Sequence, residues 1–587
     1  MNYNLNNIVD ATDKKKSTWG SLKTLVAHMV EEKKLLIIAF IAMTIAAILS
    51  LLGPVIIGYT IDHYIQTKQF HGVLKFSGIL LAMYIVSLFA GYIQSKLMGT
   101  VGQRMLYTLR NSVFEKIQEL PLDFFNQNKT GDLISRINND TDKINQFFSQ
   151  SLMQFIRFIM VMIGAAIFLL SINFELGAAA LAPAIIIFIF TRFISPWVKR
   201  LNSDNLKSTG ALSAEVQESL NNFKVIVAFN RRDYFKKRFE EVNRDNYKTA
   251  VKAGVVNNLF APVYTFFSNI GQLIVLAFGI FLIAQGNFTV GLLISFLAYI
   301  NNFYHPLQQM ASLWANFQLA LAAWDRILKI LNLENNMPIL VKPKRDENAP
   351  MMSFRCVSFS YPNGTEVLHH INFDLERGKT YAFVGPTGGG KTTTASLLAR
   401  LYDSTKGQVW LDGKDIRSYT PEERVKKIGF ILQEPFLFSG TVRDNVLYGN
   451  VDLIDLSNEE LTQVLHETGL ELLLQRFEEG LDTVVDISGD GISLGQKQLI
   501  AFIRAVLRKP DLLILDEATA NIDTVTEKLL DDILQKLPDT TTRVIIAHRL
   551  NTIASADEIY FVNSGEVIRA GSLDDAVAML MNGKMAS

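Results

Sequence analysis

Charged and apolar positions are segregated over the first 325 residues. No Asp, Glu, Lys or Arg occurs from Leu35 to Ile61, Phe76 to Ser95, Phe158 to Phe174 or Leu176 to Thr191, nor anywhere from Ala253 to Trp324. A helix needs about 20 apolar residues to cross a bilayer core, and a charge at its centre costs roughly 2.5–3.5 kcal/mol on insertion scales. These windows predict six membrane-spanning helices, over about 35–60, 73–97, 152–172, 176–198, 256–284 and 290–315. The last two are joined by a turn at Gln285-Gly286-Asn287-Phe288.

The intervening segments set the orientation. Arg104, Arg110, Lys116, Lys129, Arg136 and Lys143 lie between the second and third spans. Lys199, Arg200, Lys207, Lys224, Arg231, Arg232, Lys236, Lys237, Arg238, Arg244, Lys248 and Lys252 lie between the fourth and fifth. The other three connections are short and poor in Lys and Arg, so both long segments are expected on the cytoplasmic side. With Lys14, Lys15 and Lys16 ahead of the first span, both termini are expected in the cytoplasm of a multi-pass cell-membrane protein in contact with membrane lipids. The first 34 residues have no apolar run of the kind a cleavable signal peptide needs. Met105-Leu106, Leu109, Val113-Phe114 and Ile117 recur at helical spacing. The long segments therefore read as helices that run on from the spans and turn back near Asp123–Gly131 and Gln217–Lys224.

Composition narrows the class further. The chain has 587 residues, enough for two to four domains. Lys plus Arg and Asp plus Glu are both 57, which leaves no basic excess for nucleic acid. Charged residues are 19 % and mean hydropathy is +0.19, which excludes a disordered chain and disfavours an ordinary soluble enzyme. The single cysteine, Cys356, excludes intrachain disulfides and cysteine-cluster metal sites.

The pattern changes after Trp324. Residues 1–325 are expected to form the helical membrane domain and 326–350, with Pro338, Pro343 and Pro350, a polar linker. Residues 351–587 alternate strands and helices with Gly and Pro punctuation, as an α/β domain does. Gly385-Pro-Thr387-Gly388-Gly-Gly390-Lys391-Thr392, followed by Thr393, matches a phosphate-binding loop. It follows the predicted strand Tyr381–Val384 and opens the predicted helix Thr392–Leu401. The glycines let backbone N–H groups converge on phosphate oxygens, and the helix N-terminus adds a favourable dipole. Lys391 is placed to reach the β- and γ-phosphates and Thr392 to ligate Mg²⁺. Downstream, Leu512–Leu515 reads as a buried parallel strand ending in Asp516-Glu517. Asp516 is placed for the Mg²⁺ shell and Glu517 for general-base activation of water. Gln433 and His548 follow two more predicted strands, Ile428–Leu432 and Val544–Ala547. Ligands of parallel sheets bind at such carboxyl ends.

Ile492-Ser493-Leu494-Gly495-Gln496 precedes a predicted helix, Lys497–Arg508. With this element the ordered set resembles the nucleotide-binding domain of an ABC transporter. The set runs phosphate loop, Gln433, signature, Asp516-Glu517, His548. Phe124–Arg136 and Glu218–Phe229 look like the two coupling regions of type I exporters. The resemblance implies a six-span helical membrane domain fused to a P-loop ATPase domain that binds ATP and Mg²⁺. It makes Glu517, His548 and Gln433 catalytic, Tyr361 the residue that stacks on adenine, and Thr392, Gln433 and Asp516 the Mg²⁺ ligands. Ser493, Gly495 and Gln496 then face ATP held by a second chain, and Asp523 lies in the D-loop Ala520–Asp523. One chain carries one phosphate loop and one signature, so the resemblance implies a second ABC half-transporter as partner. The expected activity is alternating-access export of amphiphilic, drug-like or lipid cargo. A lipid flippase, or an ATP-gated channel or regulator on the same fold, are the alternatives.

Three departures bear on the partner. Leu494 stands where the signature usually has a small or polar residue. Asn521-Ile522 replaces the usual D-loop pair, and Asp486–Gly491 lacks the Gly-Glu-Arg-Gly run common upstream of the signature. With Glu517 intact, this resembles the catalytic-glutamate half of heterodimeric bacterial exporters, so a heterodimer is expected over a homodimer. Asn257, Asn258, Asn269, Gln272, Asn301, Asn302, His305, Gln308, Gln309 and Asn316 in the last two spans either line a substrate path or bind helices together. Arg157 and Arg192 are expected to snorkel to the interface.

Overall fold

The computed structural model describes residues 3–5, 32–341, 346, 348–362, 364–486, 492–517, 524–546, 553 and 555–582. The chain forms two compact units: residues 10–118 with 131–332, and residues 1–9 with 119–130 and 333–587.

The first of these is helical. Its long helices are Lys33–Thr60, Phe70–Gln118, Leu152–Ile172, Phe174–Asn221, Arg232–Ala284 and Val290–Leu331. Among the described residues, five helical stretches are long and apolar enough to cross a membrane: Lys33–Ile65, Phe70–Gln118, Thr130–Ile172, Phe174–Asn221 and Arg232–Ala284. The sixth expected span, 290–315, falls on helix Val290–Leu331. At 1.5 Å per residue a helix of about 50 residues reaches roughly 75 Å, far beyond a 30 Å hydrocarbon core. The spans thus run on into the polar segments, as the helical spacing over Met105–Ile117 implies. In Phe70–Gln118 only 6 % of the most apolar window is buried within the chain, so most of its apolar surface faces outward.

Caps explain where these helices begin. Asn173 accepts from Leu176 N at 2.9 Å and starts Phe174–Asn221, and Thr289 accepts from Leu292 N at 3.2 Å and starts Val290–Leu331. The interior is tied by polar contacts to backbone carbonyls. Ser295 Oγ donates to Pro54 O (2.7 Å), Tyr299 OH to Leu51 O (2.5 Å) and Tyr304 OH to Ala180 O (2.9 Å). Gly58 is required here, because a Cβ would lie 2.2 Å from Ser295 Oγ. Arg326 donates to both carboxylate oxygens of buried Asp140, at 2.6 and 2.7 Å, and so fixes the end of the last helix.

Of the two roles open to the amides of the last two spans, several act as fasteners. Asn257 and Asn202 exchange reciprocal hydrogen bonds, Gln272 donates to Asn301 at 2.9 Å, and Asn316 donates to Ser151 at 3.2 Å. Helix Phe174–Asn221 continues past Gln217, so the second connector is the short helix Phe223–Ala228, later than the turn expected from residue 217. Ala214–Leu220 is rich in helix formers, and nothing in it interrupts the ladder before Asn222.

The second unit contains a six-stranded sheet in the order Glu566–Arg569, Glu558–Asn563, Thr380–Val384, Thr542–Ile546, Leu512–Asp516, Ile428–Ile431. All neighbours are parallel except the first pair. A four-stranded antiparallel sheet, Glu366–Leu375, Met352–Ser360, Lys406–Leu411 and Lys414–Asp415, packs on one side through Phe354, Phe373 and Phe383. A helical group that includes Asn458–Glu467 and Leu494–Val506 packs on the other. In Leu494–Val506, Leu499, Phe502, Ile503 and Val506 share one helical face and are buried.

Candidate active site

Strand Thr380–Val384 is buried throughout and delivers the chain to Gly385 at its carboxyl end. Only glycine fits there: φ is +149° and a Cβ would lie 2.0 Å from Val562 O. Gly388 (+82°) and Gly390 (+114°) also occupy the left-handed region, which curls the loop back onto the N-terminus of helix Lys391–Leu398. That helix starts one residue earlier than expected and ends three earlier. Lys391 is 6 % exposed, and its Nζ donates to Gly385 O (2.8 Å) and Pro386 O (3.0 Å), so the ammonium sits inside its own loop. Burial pulls the Lys391 amine below the ordinary lysine value, against the opposing charges of Glu517 and Asp516. Thr387, Gly388 and Thr392 are exposed, and Thr393 is buried.

Two strands across the sheet, Leu512–Asp516 ends at the same edge, with Asp516 2 % exposed. Glu517 follows with φ +50°, a conformation uncommon for a non-glycine residue, and turns sharply off the strand. Strand Ile428–Ile431 pairs with Leu512–Asp516, and just beyond it Gln433 Nε2 donates to Glu517 Oε2 at 2.7 Å. The sheet therefore brings Lys391, Asp516, Glu517 and Gln433 to one edge. His548 and Asp523 lie outside the described residues. Thr392, Gln433 and Asp516 offer hydroxyl, amide and carboxylate oxygens, the hard donor set that suits Mg²⁺.

Tyr361 follows strand Met352–Ser360. Its hydroxyl is 3.1 Å from Thr393 Oγ1, which links it to the helix that leaves the phosphate loop. Its ring meets Tyr402 edge-on at 5.7 Å and Phe359 at 4.9 Å. Tyr402 was not expected in the site. Its hydroxyl accepts from Asn126 Nδ2 at 2.6 Å, and burial, with Tyr361 and Asp123 nearby, pushes its phenol up to about 12. Asn126 belongs to the short helix Leu122–Gln127 in the first connector. Nothing in the local sequence of Tyr402 distinguishes it from a core tyrosine.

Ser493 caps helix Leu494–Val506. Its Oγ accepts from Gln496 N, and Gln496 Oε1 accepts from Ser493 N at 2.9 Å. This reciprocal box starts the helix three residues before the expected Lys497, and the Ser-x-x-Gln spacing was its overlooked signal. Gly495 and Gln496 thus sit in the first helical turn, with Leu494 half-exposed beside them.

A glycine cradle at a helix N-terminus, an acidic pair at the same sheet edge and a separate capped helix define a P-loop ATPase domain joined to a helical membrane domain. Residues 36–307 match the family model of the ABC transporter transmembrane region, and residues 368–520 match that of the ABC transporter. The chain is 34 % identical to an uncharacterized ABC transporter ATP-binding protein, YfiC, of Bacillus subtilis, over 96 % of this chain and 93 % of the relative. It is 32 % identical to a fatty acid ABC transporter ATP-binding/permease protein of Mycobacterium bovis, over 87 % and 81 %. It is 30 % identical to a multidrug resistance ABC transporter ATP-binding and permease protein of Lactococcus lactis, over 85 % and 84 %. The chain belongs to the ABC transporter family, in the type I exporter arrangement of fused membrane and nucleotide-binding domains. It is a membrane protein that hydrolyses ATP to drive transport.

Proposed function

We propose that this chain is one half of a heterodimeric exporter that moves amphiphilic or lipid-like molecules out of the cytoplasm. The observation that carries the ATP-driven part of the reading is the meeting of Gln433 and Glu517, 2.7 Å apart, at the sheet edge that also carries Lys391 and Asp516. On this reading Lys391 exchanges the carbonyls of Gly385 and Pro386 for phosphate oxygens when ATP enters. The amides of Gly385–Gly390 and the N-terminus of Lys391–Leu398 hold the phosphates, and Tyr361 stacks on the adenine. Thr392, Gln433 and Asp516 hold Mg²⁺, which neutralises charge on the β- and γ-phosphates when bound. Glu517 accepts a proton from water as the water oxygen bonds to the γ-phosphorus and the bond to the bridging oxygen of ADP breaks. His548 is assigned to the γ-phosphate, and Asp523 to the D-loop contact with the partner.

Two observations support a partner chain. Ser493 and Gly495 sit on a separate helix start, with Leu494 beside them exposed rather than packed in the core. In and beside the second connector, Leu220, Phe223, Val225 and Phe229 are each more than half exposed. Apolar side chains clustered this densely on one short segment mark an interaction surface, and we assign it to the partner's ATPase domain. For cargo, the absence of Asp, Glu, Lys and Arg from Ala253 to Trp324 favours an apolar or amphiphilic molecule over a small ion. The names of the mycobacterial and lactococcal relatives agree with this class. We assign both long connectors and both termini to the cytoplasm, which the Lys and Arg of the long connectors support.

The test is ATP-dependent uptake of ethidium and of a fluorescent fatty acid into inverted membrane vesicles. The vesicles carry this chain with a co-expressed homologous half-transporter, or this chain alone. Uptake by the pair and not by the single chain is expected. Equal uptake by the single chain would remove the heterodimer, and no uptake of either probe would remove the cargo class.

A further inference from the structure

Residues 3–5 lie far in sequence from the first connector and from the linker, yet they join the two. Tyr3 is fully buried. Its ring packs edge-on against Phe124, centroids 6.4 Å apart, and Phe124 is also fully buried. Its backbone N–H donates to Gln127 Oε1 (2.9 Å), and its carbonyl accepts from Asn128 Nδ2 (2.9 Å). The Oδ1 of the same Asn128 accepts from Leu5 N at 3.0 Å, so one amide side chain grips the segment at two points. On its far side the Tyr3 hydroxyl donates to Glu334 O (2.8 Å) and accepts from Asn336 N (3.0 Å). Asn335 Nδ2 donates to Glu119 O at 2.8 Å, closing the ring of contacts.

We infer that Tyr3 is a positioning residue for coupling. It clamps the connector helix Leu122–Gln127 to the start of the linker that leads into the ATPase domain. The inference rests on the exporter reading above. Phe124 and Gln127, held by Tyr3, flank Asn126, the residue that hydrogen-bonds Tyr402 beside Tyr361. The connector is continuous with helix Phe70–Gln118 on one side, and the linker follows helix Val290–Leu331. With Tyr3 in place the connector and the linker answer nucleotide binding as one body. Without it the ATPase domain still binds and hydrolyses ATP, but the membrane helices no longer receive the movement. A tyrosine is needed because the clamp uses both ends of the side chain, the ring on Phe124 and the hydroxyl on the linker backbone.

The test uses the full transporter, this chain with its partner in nanodiscs, and compares wild type with Tyr3→Ala and Tyr3→Phe by amide hydrogen exchange. In Tyr3→Ala, exchange over residues 122–128 is expected to rise at least about tenfold, the fraction equivalent to 1.4 kcal/mol of lost protection. The exchange response of Phe70–Gln118 and Val290–Leu331 to ATP with vanadate is expected to disappear, while vanadate trapping and the KM for ATP stay within about twofold of wild type. Tyr3→Phe keeps the ring and is expected to restore part of the response. Unchanged exchange at 122–128, a surviving membrane-helix response, or trapping and response lost in proportion would each overturn the inference. If the wild-type membrane helices show no response at all, the exporter reading fails instead, and exchange at 122–128 still decides the clamp.

Discussion

Gln433 Nε2 donates a 2.7 Å hydrogen bond to Glu517 Oε2 across the ends of two neighbouring parallel strands. The donating amide holds the carboxylate, and Glu517 is further restrained by its left-handed backbone. A hydrogen bond to a charged group contributes about 1.5–3 kcal/mol, so Gln433→Ala is expected to slow ATP hydrolysis by about tenfold or more. Its effect on ATP affinity is expected to be smaller. Steady-state kcat and KM of the reconstituted pair check this, and an unchanged kcat would contradict it.

Lys391 gives a pH dependence. Burial lowers its amine below the ordinary lysine value of about 10.4, although Glu517 and Asp516 pull the other way. The charged form attracts phosphate, so ATP affinity holds below the lowered value and falls as pH rises through it. Nucleotide binding measured across the alkaline range is expected to weaken before an ordinary lysine would deprotonate. Affinity that stays flat into that range would count against the role given to Lys391.

Tyr402 separates two effects. Tyr402→Phe removes the 2.6 Å bond from Asn126 and leaves the ring against Tyr361, so ATP affinity is expected to change little. Tyr402→Ala also removes the ring. Aromatic pairs contribute about 0.5–1.5 kcal/mol, and a loss of about two- to tenfold in ATP affinity is expected. Equal affinities for the two variants would show that Tyr361 does not depend on this support.

Leu494 tests the asymmetry of the pair. Its side chain is half-exposed on the first turn after the Ser493 cap, where small residues let phosphate approach backbone amides. Leu494→Gly is expected to raise the ATPase activity of the chain purified alone by about fivefold, roughly 1 kcal/mol. Glycine costs about 1 kcal/mol of helix propensity, so thermal stability is measured alongside. Wild-type chain that turns over fully by itself would contradict the heterodimer.

Much of this was legible in the sequence because the physics is local. A charge-free window of twenty residues has few alternatives to a span, and Gly385–Thr392 needs only a strand before it and a helix after it. The order Gln433, Ser493, Asp516-Glu517 carried the family. What stayed hidden depends on contacts between distant residues. The bonds from Asn126 to Tyr402 and from Tyr3 to Gln127, Glu334 and Asn336 join segments with no pattern in common. The two readings of the membrane amides stayed open for the same reason, since whether Gln272 faces a path or bonds Asn301 depends on helix packing. The start of the signature helix is available in the Ser493-x-x-Gln496 spacing, three residues before Lys497.

The most direct test of the account is single-turnover and steady-state ATP hydrolysis by the reconstituted pair carrying Glu517→Gln. General-base catalysis contributes about 10²–10⁴-fold, so hydrolysis is expected to fall at least about 100-fold while ATP binding persists and the ATP-bound state accumulates. Hydrolysis that continues near the wild-type rate would contradict the central claim, that Glu517 drives the transport cycle by turning over nucleotide held at Lys391.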